Sequence, residues 1–404
     1  MTYVLPILLV VLSWCVTDTA SAAESIRVLL DQQVKKVTVQ GEQGLIITFA
    51  NGERRSAARP VTVSVAAGHL VVNGTPFHSP VAVFHARGGD LSTVITAHMR
   101  PTSNRESGAA TKQAPLPVES PQSFRIGGSL LIMVRDGAML VINAIDMEEY
   151  VKGVVPSEMS AGWHSEALKV QAVATRTYAL YQRLANAGRE FDVVASTQDQ
   201  VYRGRQGVDE RVQQAVEATR GVVITYQDAP ILAAFSSTAA GPTEDAMNVW
   251  SKDLPYLKGV DCPFDENSPY YQWRVELPVL SLEQSLRKQG IPVGTIATVT
   301  PFLYSRAGRV DKIRILHSDG EVILRGQDFR KAVGYSVIPS TQFDIEALGR
   351  TVIFAGRGSG HAVGLCQWGA KELADQGYSY DAILRYYFPG TVLQPTASLR
   401  LSNQ

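Results

Sequence analysis

Between His164 and Asn186 the chain runs without a proline or a glycine, and its apolar residues recur at three- and four-residue steps. Val170, Val173, Ala174, Thr177, Tyr181 and Leu184 fall on one helical stripe. Ala167, Ala172, Ala174 and Ala179 add helix propensity and permit close packing. The run predicts a rigid helix that stops near Gly188. Much of the remaining chain reads as short strands, so a mixed fold must be organised around this helix.

The segment leading into it, from Tyr150, reads YVKGVVPSEMSAGW. Pro156 biases Val155 towards extended backbone, so this part is not expected to be helical throughout. Glu158 is then expected in a turn, after Gly153-Val154-Val155 and just before the helix. Partial desolvation there would raise the pKa of a carboxyl and suit it to proton transfer. The same position equally suits a plain first-turn acid at the positive end of a helix.

Residues 24–100 read as β-rich. Short β-branched runs (Ile26 to Leu30, Leu45 to Phe49, Val61 to Val65, Leu70 to Val72) are separated by Asn51-Gly52, Ala67-Gly68 and Asn73-Gly74. Residues 101–123 carry four prolines among Ser, Thr, Ala and Gln without apolar periodicity, and read as a linker or long loop. Strands return at Leu130 to Arg135 and Met139 to Ile145, across the hairpin signal Asp136-Gly137. Glu148 and Glu149 follow in a charged turn and read as solvated or helix-capping acids. Residues 276–348 read as a mixed insertion of short helices and a hairpin. Thr351 to Ala355 is a strand, followed by Gly356, Gly358 and Gly360 and then a helix. That order occurs in dinucleotide-binding turns, but His361 stands where a third glycine would fall and no regular βαβ array surrounds it. The glycines are expected instead to let backbone approach a ligand.

Lysine plus arginine equals aspartate plus glutamate, at 38 each, which gives no general pull towards nucleic acid or anionic membrane. Residues 1–22 have the pattern of a secretory signal: Tyr3 to Val16 is mostly apolar and Ala20-Ser21-Ala22 offers a small-x-small cleavage site. The run is too short for a membrane span, and no stable span is expected after its removal. Export leaves two cysteines, Cys262 and Cys366, and an oxidising compartment makes them a candidate disulfide. A zinc site on both cysteines and His361 is the rival; it is short of the four ligands of a closed site.

Three blocks resemble the SpoIID/LytB family of bacterial cell-wall proteins. They are GVVPSEM with EALKVQAVATRTYA; Ser236-Ser237-Thr238-Ala239-Ala240-Gly241-Pro242-Thr243-Glu244 with Val249-Trp250 and Pro255-Tyr256-Leu257; and the run from Gly356 to Ala370, GRGSGHAVGLCQWGA. The resemblance implies an α+β core from about 124 to 400, with mixed sheets and a central helix, preceded by a small β-rich N-terminal region. It implies an exported lytic transglycosylase of the periplasm or cell envelope, acting on peptidoglycan glycan strands with Glu158 as its catalytic acid. A separate cell-wall amidase is the second partner it suggests, because the family includes proteins described as enhancers of such an amidase; a non-catalytic wall-binding protein is the alternative reading. Gln200, Tyr202, Ser236, Ser237, Thr238, Thr243, Glu244, His361 and Gln367 are the expected substrate-binding residues, with Glu244 the candidate second carboxylate. Zinc-binding relatives carry a histidine and a cysteine where this chain has Phe235 and Ala239. Neither a metal nor any other cofactor is therefore expected.

Overall fold

The computed structural model describes residues 25–98 and 122–399. The signal-like segment and nearly all of the expected linker lie outside them. Gln122 and Ser123, read as the end of that linker, instead begin the strand Gln122–Ile126. The fold is α+β and divides into two compact units. One comprises residues up to Ala161 together with Ala179–Arg220, the other Gly162–Tyr178 together with Gly221 onwards. One of the three changeovers between the units, after Tyr178, falls inside the long helix Ser165–Ala185.

The first unit is a curled, mainly antiparallel sheet of twelve strands. Strands on both sides of residues 99–121 belong to it. Its organising strand is Ser25–Gly41. The first half pairs with Ala138–Asp146, and the second half pairs with Val61–Ala66 and Leu91–His98. Register shifts fall between Leu29 and Val34, where Gln33 has φ 59°. Extra residues on one strand bend it and increase its twist, which lets one strand serve two directions of the sheet. The expected turns form with left-handed backbone: Ala67-Gly68, Asn73-Gly74 and Asp136-Gly137 all have positive φ at both positions, the form that suits a two-residue hairpin.

The strand Ala138–Asp146 delivers the chain into the helix Met147–Glu158. Asp146 caps it, its carboxylate accepting from the amides of Glu148 and Glu149 at 2.9 and 3.2 Å. The expectation that Pro156 would prevent helix here is corrected: Pro156 lies inside the helix. It stands in the last turn, where its missing N–H costs a single hydrogen bond and little helix remains to be kinked. The Met159 amide, donating to the Val155 carbonyl at 2.9 Å, closes the end.

The helix Ser165–Ala185 matches the predicted span closely, but its burial does not follow one stripe. Every residue from Val170 to Thr177 is buried, whereas Tyr181 is half-buried and Leu184 is 43% exposed. The helix is thus enclosed on all sides over its middle turns, which alanines at 172, 174 and 179 make sterically feasible.

The second unit is built of small sheets. Val222–Tyr226 pairs with Ala229–Pro230 and Val392–Pro395, and Trp273–Pro278, Thr351–Arg357 and Gln342–Leu348 make a three-stranded sheet. Another joins Ile296–Tyr304, Val310–His317 and Gly320–Arg325. With the helices Val279–Lys288 and Gly326–Val333 these strands enclose one apolar core, including Leu282, Leu286, Ile313, Ile315, Phe329, Phe343 and Phe354. The region read as a mixed insertion shares this core with the flanking strand Thr351–Arg357, which contributes Val352 and Phe354. Among the described residues no helix is long and apolar enough to cross a membrane.

Candidate functional site

In the first unit Glu158 is the last residue of the helix Met147–Glu158, rather than a turn residue or a first-turn acid of the next helix. Its side chain is half-buried. The Val201 amide donates to its Oε1 at 2.8 Å. The segment that supplies this amide is anchored on both sides. Gln200 is fully buried, and its Oε1 accepts from the Tyr150 hydroxyl at 3.0 Å. Tyr202 is 2% exposed, and its hydroxyl donates to Asn143 Oδ1 at 2.9 Å. Asn143 in turn donates to the carbonyls of Gly127 and Ser129, both at 3.0 Å. Tyr150 and Tyr202 stack, with ring centroids 5.3 Å apart. Burial pushes the Tyr202 hydroxyl pKa up, so it stays a donor at any physiological pH.

Gln200 and Tyr202 were expected on the wall of a sugar groove. The structure corrects this: both side chains point into the unit's interior and fix the backbone that holds Glu158. Gly153 is part of the same fit. A Cβ at 153 would lie 2.5 Å from Tyr202 Cε2 and 2.6 Å from the Gly204 carbonyl oxygen, so only glycine lets the helix approach this segment. Glu149 is committed elsewhere, to Lys152 at 2.7 Å and Arg205 at 2.8 Å.

In the second unit the hydroxyl-rich block and the glycine-rich block are laced together. Phe235–Ser236 pairs in parallel with Leu365–Cys366, Thr238 bridges Ser359, and Glu244 bridges Val363. A Cβ on Gly358 would lie 2.8 Å from the Thr238 carbonyl oxygen, and one on Gly360 would lie 2.5 Å from Ser236 Cβ. These glycines permit close approach of the chain's own hydroxyl block.

The hydroxyls are mostly internal as well. Ser236 Oγ accepts from the Ala362 amide at 3.1 Å, Thr238 Oγ1 shares a hydrogen bond with Ser268 Oγ at 2.6 Å, and Thr243 Oγ1 accepts from the Val260 amide at 2.8 Å. All three are buried, and Ser237 alone of the predicted hydroxyls is half-buried. Gln367 is buried and donates to Gln171 Oε1 at 3.3 Å. Glu244, the candidate second carboxylate, is 3% exposed. It accepts from the Asp245 amide at 2.9 Å, from Asn248 Nδ2 at 2.8 Å and from Ser305 Oγ, and it faces Arg309. It is an internal acceptor, not a group presented to solvent.

His361 is half-buried, and its Nδ1 accepts from the Val363 amide at 3.0 Å. Burial, with Arg330 and Arg309 adding repulsion, lowers its pKa to about 4, so it is neutral near pH 7. Its ring meets Trp250 edge-on at 4.9 Å, and Trp250 is 37% exposed. Trp163 and Trp368 form a second half-buried aromatic pair at 5.1 Å.

The two cysteines of the candidate disulfide lie close together, and both are free and buried. Cys366 Sγ caps the helix Gln367–Asp375, accepting from the Gly369 amide at 3.4 Å, and accepts from the Ala239 amide at 3.4 Å. The rival zinc set fails in one member, since the third residue gathered with the two cysteines is Asp265, not His361.

Asn143 and the Val201 amide escaped the sequence reading because a lone asparagine in a strand and a backbone donor leave no pattern. Asp265 could have been found: Cys262-Pro263-Phe264-Asp265 has the spacing of a paired-ligand loop.

The helix end with its anchored 200–202 segment in one unit, and the laced glycine and hydroxyl blocks in the other, carry the three motifs singled out in the sequence. Residues 135–226 match the family described as Stage II sporulation protein, and residues 245–364 match a domain of unknown function. The chain is similar to an uncharacterized protein of Brachyspira hyodysenteriae, 37% identical over 264 residues, 65% of this chain and 70% of the relative. It is similar to Stage II sporulation protein D of Bacillus subtilis, 31% identical over 308 residues, 71% of this chain and 87% of that protein. It is also similar to an Amidase enhancer of Bacillus subtilis, 28% identical over 291 residues, 60% of this chain and 40% of that protein. The chain belongs to the SpoIID/LytB family.

Proposed function

We propose that this protein is an exported peptidoglycan lytic transglycosylase that uses Glu158 first as acid and then as base. The protonated carboxyl gives its proton to the glycosidic oxygen between N-acetylmuramic acid and N-acetylglucosamine as that bond breaks. The resulting carboxylate then takes the proton of the muramic acid C6 hydroxyl, whose oxygen closes on C1 to give a 1,6-anhydro ring. An intramolecular nucleophile needs neither an activated water nor a second carboxylate. The observation that carries this reading is the contrast between two acids. Glu158 is half-buried at a helix end with its backbone support fixed, while Glu244 is enclosed and used up as an internal acceptor. A paired-carboxylate hydrolase would need both exposed to substrate. Trp250, beside His361, offers an aromatic face of the kind that packs on sugar rings.

A second reading is a wall-binding protein that stimulates a separate amidase. The similarity to the Amidase enhancer favours it, as do Ala239, Ala240 and Ser359, which depart from the glycine- and aromatic-containing blocks of the family. Incubating the purified protein with glycan strands stripped of their peptides separates the readings. Anhydro-ended fragments support the transglycosylase. Reducing-end fragments mean a hydrolase, and retention on the strands without fragments means a binding protein.

A further inference from the structure

We propose that Cys262, Asp265 and Cys366 form a structural site for a thiolate-preferring divalent metal ion of the zinc class. One ligand atom from each of the three lies within 4.8 Å of the others, and all three residues are buried. Tetrahedral zinc with Zn–S distances of about 2.3 Å holds its sulfurs roughly 3.8 Å apart, so little movement is needed to close around an ion.

The second observation is independent of this clustering. Asp265 is fully buried, and its Oδ1 has no hydrogen-bond partner. Its other oxygen is satisfied, accepting from the Ala240 amide at 2.8 Å and from Cys366 Sγ at 3.2 Å. A buried carboxylate oxygen left over from a protein network has the character of a waiting ligand. Hydrogen-bond donors also reach the sulfurs, although burial and the neighbouring Cys262 and Asp265 raise the Cys366 pKa, so an ion would have to displace its proton. Peptide amides of Ala239 and Gly369 point at Cys366 Sγ, and Cys262 has a backbone hydrogen bond at Phe264. Such donors stabilise sulfur carrying negative charge and orient it. Arg309, 2% exposed, faces the two cysteines and Asp265 and offsets part of their charge.

Room is kept by Gly369, since a Cβ there would stand 2.8 Å from Cys262 Sγ and collide with the Tyr387 hydroxyl. That hydroxyl lies 3.3 Å from Cys262 Sγ. Soft sulfur donors with one carboxylate select zinc over magnesium or calcium. The ion would clip the loop 262–265 and the turn at Ala239-Ala240 to the start of the helix Gln367–Asp375. The site is independent of the chemistry assigned to Glu158.

The test uses the full chain, purified without chelator. Elemental analysis should find about one zinc per chain. Cobalt(II), exchanged into the chelator-stripped protein, should give the intense near-ultraviolet absorption of a cobalt–thiolate bond. Cys366→Ser keeps a good helix cap and should weaken cobalt binding by at least about 100-fold, more than loss of an outer-shell partner does. Asp265→Asn should weaken binding while leaving the thiolate absorption. Zinc at background with no cobalt–thiolate band overturns the proposal. So does native protein lacking two hydrogens in mass and showing no titratable thiol, which would mean a disulfide.

Discussion

The Val201 amide donates to Glu158 Oε1 at 2.8 Å, and this bond places the carboxylate by means of residues that do not touch it. Gln200 and Tyr202, on either side of Val201, are held by Tyr150 and Asn143. Tyr202→Phe removes the hydroxyl donor and leaves Asn143 Oδ1 buried without it. A loss of about 1–3 kcal/mol in unfolding free energy is expected. The cleavage rate should fall while the affinity for glycan strands is retained. Urea unfolding and a binding assay on the same variant check both halves.

Gly153→Ala tests the packing beneath Glu158. The added methyl would overlap Tyr202 Cε2 and the Gly204 carbonyl oxygen, neither of which has a free path away. Overpacking of this kind costs typically about 1–3 kcal/mol. Thermal denaturation should show a lower midpoint for Gly153→Ala, and no comparable shift for Gly188→Ala, where a Cβ would meet nothing within 4 Å.

His361 gives the protein an acid-sensitive contribution. Its folded pKa of about 4 lies below the usual value of about 6.5, so the unfolded chain binds the proton more readily. The stabilisation is complete above pH 6.5 and is lost as pH falls towards 4. Over that interval the ring accounts for at most about 3 kcal/mol. Denaturant unfolding from pH 7 to 4 should show this slope in the native sequence and a shallower one in His361→Gln.

Glu244→Gln separates structure from chemistry. The amide would present an N–H₂ where Asn248, Ser305 and the Asp245 amide already donate. Stability should fall by about 1–3 kcal/mol, while cleavage measured well below the melting temperature persists. Complete loss of cleavage in a folded Glu244→Gln protein would favour paired carboxylates.

Local pattern made several elements legible. The strand Leu45–Phe49 and the helix Ser165–Ala185 lie where β-branched runs, turn residues and three- and four-residue apolar spacing put them. The hairpin at Asp136-Gly137 does too. The strand Ile296–Tyr304 was missed because Pro301 and exposed Phe302, Leu303 and Tyr304 break the alternation of a half-buried strand. Pro156 misled because its penalty depends on where in a helix it falls, and the last turn tolerates it. The sequence of the motif blocks does not say which way their side chains face. Serines and threonines at a strand end serve equally as ligands for sugar or as ties for backbone, and only the partners of Ser236, Thr238 and Thr243 distinguish the two.

The central claim concerns one carboxyl group. Glu158→Gln keeps an oxygen that can accept from the Val201 amide, so the fold and the helix end should be unchanged. Mass spectrometry of glycan strands digested by the native and Glu158→Gln proteins, matched for melting temperature, measures that carboxyl's role directly. The account predicts anhydro-muramic fragments from the native protein and at least about a thousandfold fewer from the variant. Equal yields of anhydro fragments from both would contradict it.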